Sequence, residues 1–269
     1  MKTLRSIMML IVAVATMSAC DKNAVGVIAD PPSGGANVKF FNFSVGSPGV
    51  NFFINDGKVT AVSATGCFLL DDANRQQCLS TGRESVSGVT YGNAGNGGSA
   101  WYSDVATGAV TISGRMADSA NKNVPISNLQ TTVANGKFYS YYLSGIYNAT
   151  TKTTDSFIVE DVLPERDFDV AYVRFVNASS TTQPMTLYVR DRVTFEETAV
   201  GGEVAYQSGG QFVALPESSY DLYTRVAGST TNVFSRNQIS FNGGRAYTIT
   251  ARGNTAVAST MLLDNTANR

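Results

Sequence analysis

Two stretches of this sequence repeat one pattern of apolar residues at a constant separation. Residues 38–56, VKFFNFSVGSPGVNFFIND, align with residues 173–191, VRFVNASSTTQPMTLYVRD, at an offset of 135 at both ends (173 minus 38 and 191 minus 56). Further along, VANGKFYSYYLSG at Val133 matches FNGGRAYTITARG at Phe241. Because the order of the matches is preserved, the sequence predicts two copies of one fold in tandem.

Each copy is built from short segments that alternate between apolar and polar residues. In YDLYTRVA, Tyr220, Leu222 and Thr224 share one face, and Asp221 and Tyr223 share the other, as in a half-buried strand. Similar segments are separated by NGG, ANG and SGG, which are typical of turns, and no segment indicates an amphipathic helix. The predicted fold class is all-β, with two tandem antiparallel β-sandwich domains of immunoglobulin- or transthyretin-like type; two small barrels are the alternative.

The boundary between the two predicted domains lies in the charged stretch EDVLPERDFD. We therefore assign residues 38–164 to the first domain and residues 165–269 to the second. The alternation and the offset of 135 predict a set of inward-facing side chains in both copies: Val38, Phe40, Phe52 and Ile54 in the first, and Val173, Phe175, Leu187, Val189, Leu222 and Tyr247 in the second.

The N-terminus has the three-part order of a secretory signal peptide. Residues 1–19 begin with Lys2 and Arg5, continue as an apolar run and end in small residues before Cys20. The segment MSAC resembles the bacterial lipobox, and this resemblance implies that Cys20 becomes the first mature residue and receives a diacylglyceryl lipid. An ordinary signal peptide cleaved near Ala19, which would leave a free thiol, is the alternative.

Residues 20–37 follow as a predicted flexible tether, because they are rich in proline and glycine and poor in aromatic residues. The predicted location is therefore the bacterial cell envelope, with the protein anchored to a membrane by lipid. Asp21 resembles an inner-membrane retention signal of some Gram-negative bacteria, whereas a charged stretch after the cysteine accompanies export to the surface in others. We favour the outer membrane or the cell surface.

An insertion in the first copy contains the other two cysteines. The offset falls to 115 where VTYG at Val89 aligns with VAYQ at Val204 (204 minus 89), so the first copy has 20 extra residues (135 minus 115). The insert, residues 62–87, includes Cys67 and Cys78. In an oxidising compartment this close pair is predicted to form a local disulfide, with free buried thiols as the alternative. Since the second copy has no cysteine, the overall fold should not depend on the bond.

Several classes of function are disfavoured by the residues themselves. The chain has no histidine, which removes the usual activation of serine and cysteine nucleophiles and the commonest zinc ligand. Its net charge of -1 indicates no nucleic-acid surface. Paired carboxylates such as Glu160 and Asp161 would point to opposite faces of a strand, so they form no ready acid–base dyad. We predict that the protein is not an enzyme and uses no metal or cofactor.

The clearest candidates for ligand binding are two neighbouring aromatic residues in GGSAWYSD. Trp101 and Tyr102 would offer flat faces to sugar rings or to a partner protein. However, a β-sandwich needs large core side chains, so core packing is the favoured interpretation of the only tryptophan.

The second copy resembles a known family. The elements VRFVNAS, LYVRD, VAY, YDLYTRVAGST and NGGRAYTITARG are similar, in this order, to a repeated bacterial envelope domain catalogued as domain of unknown function 4397. The resemblance covers the second copy nearly completely and the first more loosely. It implies a fold but no activity, ligand or catalytic residue.

These observations favour a non-catalytic, lipid-anchored envelope protein that acts as a binding or scaffold module. Its expected partners are the membrane, through the lipid, and an envelope protein. A glycan-binding accessory lipoprotein is the second hypothesis, and an envelope hydrolase is the third.

Overall fold

A computed structural model describes residues 35–60, 87–95 and 101–268, and also the strands formed by residues 62–69 and 76–84 without their side chains. All regular secondary structure in the described part is β-strand, so the predicted all-β class is confirmed. The predicted signal peptide, Cys20 and most of the predicted tether lie outside the described residues. No helix in the described part is long and apolar enough to cross a membrane.

The first half of the chain forms two sheets and a separate hairpin. The first sheet has the order β11-β10-β1-β6, with β7 also paired to β1, and the second has the order β3-β2-β8-β9. The hairpin consists of β4 and β5. The described strands of this half are β1 (Ala36–Asn42), β2 (Val50–Ile54), β3 (Gly57–Lys58), β4 (Val62–Leu69), β5 (Gln76–Glu84), β6 (Asn93–Ala94), β7 (Ser103–Val105), β8 (Gly108–Met116), β9 (Leu129–Val133), β10 (Phe138–Asn148) and β11 (Thr153–Glu160).

The second half repeats these pairings without the hairpin. Its first sheet has the order β15-β12-β19-β20, with β16 also paired to β12, and its second has the order β14-β13-β17-β18. The strands are β12 (Val170–Asn177), β13 (Met185–Asp191), β14 (Glu197–Val204), β15 (Ser208–Gly209), β16 (Val213–Pro216), β17 (Ser218–Val226), β18 (Phe234–Phe241), β19 (Ala246–Asn254) and β20 (Val257–Ala267). Each half is therefore a sandwich of two sheets.

Strand register follows the offsets seen in the sequence. Val38 lies opposite Tyr139 in one half, and Val173 lies opposite Tyr247 in the other. These pairs differ by 135 (173 minus 38) and 108 (247 minus 139), and 108 is also the offset between Val133 and Phe241. Both pairings are parallel, which departs from the purely antiparallel prediction. Parallel neighbours need a long crossover, and here almost the whole half separates β1 from β10.

Each sandwich has its own hydrophobic core. All ten residues predicted to face inward are buried in these two clusters, so that prediction is confirmed. The first strand begins at Ala36, earlier than the predicted end of the tether at residue 37, because Ala36 pairs with Val105 on β7.

The hairpin of β4 and β5 occupies the position of the predicted insert. Its two strands pair antiparallel, and their register places Cys67 opposite Cys78. Directly opposed residues in such pairs have Cα atoms about 4.5 to 5.5 Å apart, within the range that a disulfide spans. The disulfide itself stays a prediction, because the side chains of the insert lie outside the described part.

The two halves pack against each other through the sheets that contain β1 and β12. We call this contact between sheet β11-β10-β1-β6 and sheet β15-β12-β19-β20 the seam. A third apolar cluster fills it, formed by Phe41, Phe43, Tyr142 and Phe157 from the first half and Val176 and Ala178 from the second. Gly35 to the end of the chain accordingly forms one compact unit.

Candidate functional site at the seam

Asp161 is the centre of a buried polar network in the seam. It directly follows β11, and its backbone N–H donates to the Phe138 carbonyl oxygen at 2.7 Å. The residue is only 2% exposed, and its Oδ1 accepts a hydrogen bond from Arg174 Nη2. Oδ2 accepts from the Tyr102 hydroxyl at 2.7 Å and from Ser140 Oγ at 2.8 Å. The carboxylate thus joins side chains from both halves.

Arg174 is the cation that faces this carboxylate from β12. Its Nε donates to Thr248 Oγ1 at 2.9 Å, and its Nη1 donates to the main-chain oxygen of Glu160, in the other half, at 2.9 Å. The guanidinium carbon lies 4.8 Å from the centre of the Phe212 ring. A buried charge is tolerated only when it is paired and hydrogen-bonded, and Arg174 meets both conditions.

Lys39 occupies the equivalent position on β1, 135 residues before Arg174 (174 minus 39). Its Nζ donates to the main-chain oxygen of Ala267 at 2.6 Å and lies 4.3 Å from the centre of the Tyr102 ring. Burial lowers the pKa of Lys39 to about 8, and the negative charge of Asp161 opposes this shift. In both halves, therefore, the first strand carries a cation that lies over an aromatic ring of the same half. The same cation bonds a main-chain oxygen on the last strand of the other half.

Two tyrosines make a second pair of equivalent contacts across the seam, 115 residues apart (206 minus 91). The Tyr91 hydroxyl donates to the Thr260 carbonyl oxygen at 2.6 Å, and the Tyr206 hydroxyl donates to Asp155 Oδ2 at 2.8 Å. Burial raises the pKa of both phenols. Equivalent tyrosines of the two halves thus make reciprocal contacts across the seam.

Within this site Asp161 and Arg174 form an ion pair, whereas Lys39 bonds a main-chain oxygen. Asp161 points into the seam, whereas the neighbouring Glu160 side chain pairs with exposed Lys137 at 2.8 Å. The two adjacent carboxylates therefore face opposite sides, as the strand alternation predicts. Among the described residues no group of three or more His, Cys, Asp or Glu side chains is placed to hold a metal ion.

A small cavity adjoins the network beside Arg174. Its volume is about 220 Å³, and Val162, Gln211 and Phe212 contribute to its walls. Ligand pockets usually measure about 300 to 1,000 Å³, so the volume of this cavity lies below the usual range.

The structure separates the two aromatic residues that the sequence had paired. Trp101 is 68% exposed, so core packing does not describe it. Tyr102 turns inward, where its ring packs edge-on against Phe138 at 5.0 Å and its hydroxyl bonds Asp161. Adjacent residues of an extended chain point to opposite sides, which explains the difference. Of the two candidates for ligand stacking, Trp101 has an open face and Tyr102 belongs to the network.

Lys39, Asp161 and Arg174 were not predicted from the sequence as members of one site. A signal was present, because a basic residue follows the first valine in both VKFF and VRFV. A cation at the same place in two apolar strands indicates a buried position with a specific partner. Nothing in the local pattern identified that partner, since Asp161 lies beyond the end of its strand.

Comparisons with known proteins give a match to a family model and a distant similarity to solved structures. A solved structure described as the Bacillus anthracis TIE protein is 12% identical, with a TM-score of 0.21, and the alignment covers 82% of this chain and 34% of that one. The chain therefore spans about a third of that protein's length. No curated protein matches the sequence. Residues 171–269, which form nearly all of the second half, match the model of domain of unknown function 4397.

Proposed function

We propose that this protein is a non-catalytic, lipid-anchored component of the bacterial cell envelope whose two sandwiches act together as a binding or scaffold module. The observation that carries the proposal is the seam network. Its buried charges, Lys39, Asp161 and Arg174, bond one half to the other. Such a network favours a fixed two-part body that is suited to present surfaces to a partner.

We further propose that the first half is a second, diverged copy of the domain matched by residues 171–269. The matching strand orders and the shared register offsets support this duplication. The insertion between β3 and β6 then accounts for the looser sequence similarity of the first copy.

The proposed anchor is Cys20, supported by the lipobox-like MSAC after an apolar run. Cells expressing the full chain or its Cys20→Ser variant are labelled with radioactive palmitate, and the mature N-terminus is analysed by mass spectrometry. We expect label and membrane association in the wild type only, with the protein in the outer-membrane or surface fraction. An unmodified thiol at Cys20, or an uncleaved leader, would show that the anchor is wrong.

The proposed binding role is tested by capturing partners from the native envelope. The full chain is crosslinked in cells and purified, and attached proteins are identified. Trp101→Ala is compared with Phe168→Ala, because both residues are large, aromatic and exposed. We expect a specific envelope protein to be recovered with the wild type and with Phe168→Ala, and to be reduced for Trp101→Ala. Recovery that is unchanged in both variants would exclude Trp101 from the binding surface.

Glycan binding is the second candidate, favoured by the open face of Trp101. Because this is the only tryptophan of the chain, its fluorescence reports directly on events at that face. Titration with fragments of envelope polysaccharide should shift the emission to shorter wavelength if a sugar ring covers the indole. Unchanged emission over the whole titration would favour the protein partner.

A further inference from the structure

We propose that Lys39 and Asn268 join in an intramolecular amide bond, with Asp161 as the group that transfers the proton. Lys39 lies on the first strand of the first half, and Asn268 directly follows the last strand of the second half. Lys39 Nζ bonds the main chain of the residue before Asn268, and the Asn268 side chain contacts Asp161. This inference does not depend on the proposed envelope function.

The carboxamide of Asn268 is held at both ends. Its Oδ1 accepts a hydrogen bond from Thr248 Oγ1 at 2.6 Å, which withdraws electrons from the carbonyl carbon. Its Nδ2 donates to Asp161 Oδ2 at 3.2 Å and to the Tyr102 hydroxyl at 3.0 Å. The Thr248 hydroxyl is thus placed to stabilise negative charge that develops on Oδ1 of Asn268. The Asp161 carboxylate contacts Nδ2, the nitrogen that would leave.

Lys39 supplies the nucleophile from the adjacent position. Its Nζ bonds the carbonyl oxygen of Ala267, the residue immediately before Asn268, at 2.6 Å. An amine attacks only when it is neutral, and burial lowers the pKa of Lys39 to about 8. About a tenth of the side chains are then neutral at pH 7. Lys39, Asp161 and Asn268 are at most 7% exposed, so water has little access to compete with the amine.

The step balances without any further reactant. Neutral Lys39 Nζ attacks Cγ of Asn268, and the resulting negative oxygen is bonded by Thr248. Asp161 accepts a proton from the attacking nitrogen and delivers it to Nδ2. The bond between Cγ and Nδ2 breaks, and ammonia leaves. One C–N bond forms and one breaks, nothing is oxidised, and Asp161 returns to its ionised form beside Arg174.

The product would lock the two halves together at the seam. It joins β1 to the residue after β20, near opposite ends of the described chain. A covalent link between such distant residues restricts the unfolded chain strongly, in the same way as a disulfide with a long loop. Unlike a disulfide, an amide is insensitive to reductants.

The test is mass spectrometry of the purified full chain. The denatured protein is weighed after incubation at pH 8.5, and a tryptic digest is searched for a branched peptide that joins Lys39 to the C-terminal fragment. We expect a mass lower than that of the uncrosslinked chain by one molecule of ammonia, and we expect the branched peptide. A folded wild-type chain without the branched peptide and without the mass loss would overturn the proposal, whether or not any variant folds.

Matched variants assign the bond to its residues. Lys39→Met and Asn268→Ala should abolish the branched peptide and restore the full mass. Lys137→Met and Asn265→Ala, which change a lysine of the exposed surface and an asparagine on β20, should retain both signatures. A bond that persists in Asn268→Ala, or that disappears in Asn265→Ala, would contradict the assignment.

Discussion

The two halves share their strand pairings, yet they differ on the outer faces of their second sheets. In the first half, Phe53 on β2 is only 4% exposed, and Arg115 lies 4.4 Å from its ring centre. In the second half the equivalent Tyr188 is partly exposed, and Arg225 lies 4.7 Å from its ring centre. Both halves thus have an arginine over an aromatic ring at this position, but the ring is more deeply buried in the first half.

This comparison shows which features the repeated pattern holds constant. The cores and the seam use equivalent positions in both halves, because each side chain there has neighbours that restrict its size and polarity. The outer faces are more exposed in the second half, where Tyr188 is only partly buried, so they are less restricted there. Differences of binding between the halves are therefore expected on those faces and in the insert.

The largest expected effect breaks the seam at its centre. Asp161→Ala leaves Arg174 buried without a counter-charge, and we expect it to lower the free energy of unfolding by about 3 to 5 kcal/mol. In the double variant Asp161→Ala/Arg174→Met most of this loss should be recovered, because replacing a buried ion pair by apolar residues is often neutral. Urea unfolding followed by circular dichroism measures both values. Equal losses in the two variants would mean that the buried charge is not the cause.

The second prediction asks whether the two cores contribute equally. Ile112 and Leu222 lie at equivalent positions, and both are fully buried. Ile112→Ala and Leu222→Ala should each cost about 2 to 5 kcal/mol, through lost burial and the cavity left behind. Both variants should retain a single unfolding transition because the seam couples the halves. Two separate transitions would contradict that coupling.

The third prediction compares the equivalent tyrosines of the seam. Tyr91→Phe and Tyr206→Phe should each cost about 0.5 to 1.5 kcal/mol at pH 7, the usual worth of one hydrogen bond. The pKa of both phenols is raised in the folded protein, so above about pH 10 the unfolded chain loses protons first. The free energy of unfolding of the wild type then falls more than that of either variant. The stability difference between the wild type and each variant should therefore shrink. A stability difference that grows above pH 10 would mean that folding does not raise the pKa of these phenols.

The smallest expected effect concerns the insert, which has no counterpart in the second half. Cys67→Ala/Cys78→Ala should change the free energy of global unfolding by less than about 0.5 kcal/mol, because the bond would close only a local hairpin. Free-thiol titration of the unfolded wild type, with and without reductant, shows whether the bond forms. Failure of the double variant to fold would show that the insert supports the whole first half.

Much of the fold could be predicted from local patterns. Alternation with a period of two places Leu187, Val189 and Leu222 on one face of their strands whatever the rest of the chain does. Because the pattern repeats, each inward-facing position in one half predicts the equivalent position in the other. The all-β class, the inward-facing residues and the equivalence of the halves depend only on such patterns, so they could be read directly from the amino-acid sequence.

The seam was decided by tertiary structure. In VKFFNF, Phe40 enters the core of its own sandwich, whereas Phe41 enters the cluster between the halves. A strand with apolar residues on both faces indicates that another part of the fold packs on each face, but it does not identify which part. The parallel pairing of β1 with β10, the inward turn of Tyr102 and the convergence of Arg174 and Asn268 on Asp161 all depend on residues far apart in the chain. Local periodicity determines which way a side chain points along its strand, and only the packing of whole sheets determines what it meets there.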